Sequence, residues 1–123
     1  MPRSISDSSC ELLGDFFTIF ANATRMRVFC ALQQEAKTVT EIADHAGVSI
    51  ANASQHLRLM RGKGAVIAEK SAQNVYYRIA DQRFLQAAVL IREALLDQMR
   101  ERTRDASRPQ AKRLLAETAS ARV

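Results

Sequence analysis

The sequence predicts a mainly helical fold with one small β-hairpin. Three observations predict it. Backbone punctuation is sparse, with 4 Gly and 2 Pro in 123 residues, so long segments run without a break. Apolar residues recur at three- and four-residue spacing over most of the chain, the period of a helix with one buried face. A single pair of β-prone runs, 65–70 and 75–79, is joined by a short polar stretch, the pattern of a hairpin. With 47% apolar and 25% charged residues, the composition is that of a soluble globular domain, and the length suits one domain rather than two. The expected organisation is a flexible N-terminus over 1–8, one domain over 9–103 and a basic tail over 104–123.

The elements follow in order. A helical pattern starts at Cys10, where Leu12, Leu13, Phe16, Phe17, Ile19 and Phe20 form a wide apolar stripe. Asn22-Ala23-Thr24 interrupts it, and Thr24 reads as the N-cap of a second helix carrying Met26, Val28, Phe29 and Leu32. Thr38-Val39-Thr40-Glu41 has the form of a capping box. It opens a short third helix with Val39, Ile42, Ala43 and Ala46 inward and Gly47 as its stop. Ser49 caps a fourth helix over 50–62, with Ala53, Leu57 and Met60 on one side. One helix thus ends and the next begins within a few residues, which is the signature of a helix-turn-helix. The hairpin comes next, with Ser71-Ala72-Gln73-Asn74 as its turn, and a hairpin in that place is a wing. Tyr76 and Tyr77 alternate along its second strand, so one of them is expected in the core. The last and longest helix covers 81–103. Its stripe of Phe84, Ala88, Ile91, Leu95 and Met99, widened by Leu85, Val89 and Leu96, is broader than a small domain can cover, and reads as a dimer surface.

Charge is unevenly placed. The chain carries 18 Lys and Arg against 13 Asp and Glu, a net +5. From 49 to 78 Arg58, Arg61, Lys63, Lys70 and Arg78 face only Glu69, a net +4, whereas 35–48 is net −2. Positive charge therefore gathers on the helix-turn-helix and wing, and a polyanion is the expected partner. Basic side chains there suit phosphates, while Asn52, Gln55 and His56 can donate to or accept from base edges. His56 is also read as a helix-packing residue. No run approaches the roughly 18 apolar residues of a membrane span, and no charged and apolar leader opens the chain, so the expected compartment is the cytosol. No nucleophile–base pair, phosphate loop or metal motif points to an enzyme.

Three motifs in order now carry a resemblance. Ala23-Thr24-Arg25-Met26-Arg27-Val28 is similar to the entry of the second helix in the ArsR/SmtB family of winged helix-turn-helix repressors. Ser54-Gln55-His56-Leu57, followed by Met60, Gly64 and Val66, resembles that family's recognition helix and its exit. Val75-Tyr76-Tyr77-Arg78-Ile79 resembles its wing strand. The likeness covers about residues 12 to 100. It departs at Asn22-Ala23, where the family often has Asp-Pro, and at the neutral wing tip, where the family is often basic with Gly. The resemblance implies a winged helix-turn-helix, α1-α2-α3-α4-β1-β2-α5, acting as a homodimer through its first and last helices. It implies binding to a palindromic double-stranded operator and release by an inducer. The DNA-binding set is then Ser49, Asn52, Ser54, Gln55, His56, Arg58, Arg61, Lys63, Lys70 and Arg78. A protein-interaction module on the same fold is the rival reading.

The inducer is sought among the chain's reactive groups. The family's metal sensors place Cys on the third helix or Asp and His on the last. Here 38–46 has no Cys and a single His45, and 81–103 has no His, so neither a metal nor a cofactor is expected. Two cysteines remain, Cys10 and Cys30. A Cys at position 30 resembles the persulfide- and oxidant-sensing branch of the family, whose partner thiol lies on the last helix. This chain has none there, which leaves Cys10 as the partner. If the first two helices form a hairpin, the two Cα atoms lie roughly 10–12 Å apart, beyond the roughly 7 Å limit of a disulfide. Pairing then requires movement of the first helix or a chain of several sulfur atoms. The expected inducer is reactive sulfur or an oxidant. A trivalent organoarsenical is the alternative, and inert packing of Cys30 in the core is the other reading of that residue.

Overall fold

The computed structural model describes residues 4–102 and 112–117. The chain divides into two compact units, Met1–Gln82 and Arg83–Val123.

In the first unit, α1 spans Asp7–Phe17 and Thr18–Phe20 forms a 3-10 turn. The helix starts three residues before the expected Cys10, because the Ser6 side chain accepts from the Ser9 backbone N–H and caps it. The predicted single stripe is broken at Thr18: only Ile19, in the turn, is buried, and α1 itself buries no residue. Leu12 is 71% exposed and Phe17 49%. α2 spans Ala23–Cys30. Its N-cap is Asn22 rather than Thr24: the Asn22 amide oxygen accepts from the Arg25 N–H at 3.0 Å, and Thr24 already lies inside the helix. An Asn in extended backbone outcompetes a Thr two positions later, since the cap must precede the first helical turn.

The capping box at α3 (Val39–Ala46) is complete, with Thr38 and Glu41 bonding reciprocally. That exchange holds the Glu41 carboxyl below its ordinary pKa, chiefly through the Thr38 backbone N–H, then through the Thr38 hydroxyl. Gly47 ends the helix at φ 71°, a left-handed conformation that suits a residue with no Cβ. α4 runs Ile50–Gly62, capped by Ser49. The hairpin pairs β1 (Val66–Ser71) with β2 (Asn74–Ile79) antiparallel, in the register Val66 with Ile79 through to Ser71 with Asn74. Its loop is therefore Ala72-Gln73, two residues rather than four. Ala72 takes φ 57°, as the first loop position of a tight hairpin demands. Tyr76 and Tyr77 are both half-buried, so the expected split between core and surface does not occur. Tyr77 instead exchanges backbone hydrogen bonds with Lys37, at 3.0 and 2.8 Å. This bridge brings the α2–α3 connection alongside β2.

The core of this unit joins the turn, α2, α3, α4 and the hairpin. Ile19, Val28, Phe29, Ile42, Leu57, Met60 and Val66 are its largest sealed side chains. Truncating one of them, such as Leu57, to Ala costs about 2–5 kcal/mol. An aromatic series, Phe16 to Phe20 at 5.6 Å and Phe20 to Phe29 at 5.0 Å, leads from α1 into that core by edge contacts.

α5 spans Gln82–Arg102; the second unit carries it from Arg83 onward, together with a helical stretch over 112–117. The predicted stripe on α5 is split. Leu96 is buried and Leu85 and Val89 are half-buried, whereas Leu90, Ile91 and Leu95 are 65%, 52% and 50% exposed. The expected tail over 104–123 falls outside the described residues except for 112–117.

Candidate nucleic-acid interface

α3, the turn at Gly47-Val48 and α4 make the helix-turn-helix. Burial of Ala53, Leu57 and Met60 fixes which side of α4 faces inward. At 100° per residue, the opposite arc then carries Ala51, Gln55, Arg58 and Gly62, flanked by Asn52 and Leu59 on one side and Arg61 on the other. All of these are exposed. Ser49 spends its hydroxyl as the N-cap acceptor for the Asn52 N–H at 3.0 Å. Ser54 is half-buried on the flank of the arc.

His56 lies on the other flank, half-buried beside the core stripe. Burial lowers its pKa below the ordinary imidazole value, and the nearby Arg25 charge lowers it further. Both effects favour the neutral ring. Arg25 in turn donates through Nε to the Ile19 carbonyl at 2.7 Å and through a terminal N–H to Thr18 at 3.4 Å. It ties the turn to the start of α2.

The five cations expected at the interface divide into two kinds. Arg58, Arg61 and Lys70 are exposed and have no ion-pair partner among the described residues. Lys63, the C-cap of α4, pairs with Asp15 on α1. Arg78 pairs with Glu69 across the hairpin at 3.0 Å and also donates to the Ile79 carbonyl. Both pairs escape sequence reading. Asp15 is 48 positions from Lys63, and the hairpin register must be known before Glu69 and Arg78 can be placed on one face. Lys37, another cation, donates to the Ala31 carbonyl at 2.7 Å and serves the α2–α3 connection. The wing tip, Ala72-Gln73, is uncharged.

Cys10 is exposed in the first turns of α1 and Cys30 is half-buried at the end of α2; neither forms a disulfide. Arg27, one turn before Cys30, donates to the Thr24 hydroxyl at 3.1 Å. The described residues hold no group of three or more His, Cys, Asp or Glu suited to a metal ion. No helix among them is long and apolar enough to cross a membrane.

A helix-turn-helix domain model matches residues 20–69, the span from the 3-10 turn to the first wing strand. Over 80 residues the chain is 34% identical to the HTH-type transcriptional repressor SmtB of Mycobacterium tuberculosis, covering 65% of this chain and 56% of that protein. It is 30% identical over 80 residues to the SmtB homolog of Synechocystis, covering 65% and 61%. The chain thus spans little more than half the length of these curated relatives. Among solved structures, it is similar to Rv0081 of Mycobacterium tuberculosis at 25% identity and TM-score 0.72, covering 80% of this chain and 99% of that one. A homodimeric winged helix-turn-helix DNA-binding domain of Mycobacterium bovis matches at 24% identity and TM-score 0.67, covering 77% and 90%; at that identity it speaks for the fold. The order of elements and the motifs on α2, α4 and β2 agree with these relatives: the chain carries a helix-turn-helix domain and is similar to transcriptional repressors of the SmtB kind.

Proposed function

We propose that this protein is a DNA-binding repressor that grips a palindromic operator as a homodimer and lets go when its thiols react. One observation carries the DNA-binding part. The outward arc of α4 presents Gln55 and Asn52 beside Arg58 and Arg61, and neither cation has an acidic partner among the described residues. Amide side chains at the front of a helix that enters a major groove read base edges, and the cations after them meet phosphates. A second copy related by a two-fold axis supplies the other half-site, about one helical turn away. The exposed Leu90, Ile91 and Leu95 of α5 and Leu12 of α1 are the surfaces assigned to that dimer.

The inducer reading rests on Cys10 and Cys30. Cys10 stands exposed on a helix that buries nothing, so it meets a soluble reagent with little cost in packing. Two persulfide molecules can convert the two thiols to a trisulfide, releasing two thiols and one hydrogen sulfide. That product is about 30 Da heavier than the reduced protein, and a tetrasulfide about 62 Da heavier. Closing either bridge fixes α1 relative to the end of α2.

The test selects an operator from a random duplex pool, then titrates it against salt and after exposure to glutathione persulfide. Expected are a preferred palindrome, an affinity that falls steeply with salt and loss of binding together with the mass increase. The Cys30→Ser protein keeps the operator and ignores the persulfide. Binding that shows no sequence preference and no salt dependence sinks the repressor reading and favours a protein-interaction module. Operator release by the Cys30→Ser protein sinks the thiol reading alone.

A further inference from the structure

We propose that Asp15 is an internal counter-ion of the recognition helix, competing with DNA phosphate for Lys63. The proposal rests on the DNA-binding reading above and deepens it. Lys63 closes α4 at its C-cap, directly after Arg58 and Arg61 on the same helix. Of those cations it alone has an acidic partner among the described residues, and that partner comes from α1. The Lys63 side chain is 28% exposed and that of Asp15 65%. The ammonium is therefore held by a carboxylate that is itself mostly in water, and a second anion can approach from solvent. A lysine head is a compact point charge with rotatable donors. It can exchange one oxyanion for another without rebuilding the helix end.

In the free protein Asp15 neutralises Lys63. On DNA a phosphate takes the ammonium and the Asp15 carboxylate is left beside a polyanion. Both changes oppose binding, so Asp15 weakens DNA affinity in proportion to how well it holds Lys63. The exchange also acts on α1. That helix buries no residue of its own. Its other ties in the first unit include the Phe16–Phe20 ring contact and the bond from the Thr18 hydroxyl to the Asp15 carbonyl. Losing the Lys63 pair loosens it. Linkage is reciprocal: whatever presses Asp15 onto Lys63 lowers DNA affinity by the factor with which DNA loosens the pair. Cys10 lies on the same helix, one and a half turns before Asp15, so a reaction that moves α1 reaches the recognition helix through this pair.

The experiment is a double-mutant cycle on DNA affinity. A labelled duplex of mixed sequence is titrated at several salt concentrations with wild type, Asp15→Asn, Lys63→Gln and the double variant. Asp15→Asn is expected to tighten binding about 3- to 5-fold at low salt. Lys63→Gln is expected to weaken binding and flatten the slope of log K against log salt by about 0.9, one phosphate contact. In the Lys63→Gln background, Asp15→Asn changes affinity by less than about twofold. Asp15→Glu, which keeps the charge, retains wild-type affinity. An Asp15→Asn protein that binds no tighter overturns the proposal and makes the pair a strut. Equal tightening with and without Lys63 also overturns it, since the effect is then general repulsion. A wild type that does not bind the duplex at low salt overturns the DNA-binding reading itself, a pattern distinct from either.

Discussion

In the proposed reading, single side chains on α4 divide the work of recognition, and two predictions belong to them. Gln55 stands in the middle of the exposed arc and can make a bidentate bond to adenine. Gln55→Ala should relax base preference at one position, with a loss of about 1–3 kcal/mol on the preferred site. Arg58→Ala should weaken all duplexes alike and reduce the salt slope by about one. A competition assay with single-base operator variants checks both, and equal loss of specificity from the two changes refutes the division. His56 makes a different prediction. Its pKa is lowered in the folded protein, first by burial and then by Arg25. The unfolded chain therefore binds the proton more readily. The stability that neutral His56 contributes is complete above the unfolded pKa of about 6.5 and is lost as pH falls through the lower folded value. Urea midpoints measured from pH 7 to pH 5 should fall, and His56→Gln should flatten that fall.

At the scale of elements, the structure shows what local chemistry decides. α3 lies where Thr38, Glu41 and Gly47 place it, because its two ends are satisfied within a few residues of sequence. Thr38→Ala should cost about 1 kcal/mol, read as a drop in the denaturant midpoint. α4 and the burial of Ala53, Leu57 and Met60 were legible from spacing alone; that Ser54 and His56 sit half-buried on the flanks of the exposed arc was not. What spacing did not show shares a cause: the deciding partner was not a neighbour. The fate of Lys63 and Arg78 depended on Asp15 and Glu69, and the pairing of Tyr77 depended on Lys37. None of these shows in a periodicity. α2 is the exception, a local error in which Asn22 rather than Thr24 took the cap. The wing turn also came out shorter than its polar composition suggested, since Ser71 and Asn74 pair as strand residues. That leaves Ala72 at φ 57°, a conformation that costs an L-residue about 1 kcal/mol or more. Asn tolerates it better, so Ala72→Asn should raise stability by about 0.5–1 kcal/mol in the same assay.

At the scale of the whole molecule, the exposed apolar residues of α5 are the main anomaly for a lone chain. Ile91 and Leu95, adjacent by their four-residue spacing, are both at least half exposed, which a stable monomer rarely permits at such size. Ile91→Glu should yield monomers by sedimentation equilibrium and lower operator affinity by tenfold or more, as one half-site is lost. Unchanged mass refutes α5 as the dimer surface. The Lys37–Tyr77 bridge bears on a different matter, the behaviour of this protein at high concentration. An open hairpin edge is a template on which a strand from another molecule can add. Lys37 occupies the N–H and the C=O of Tyr77 at the middle of β2, so an incoming strand cannot run the length of that edge. The loop that leads into the helix-turn-helix thus also protects the wing against fibre-like stacking.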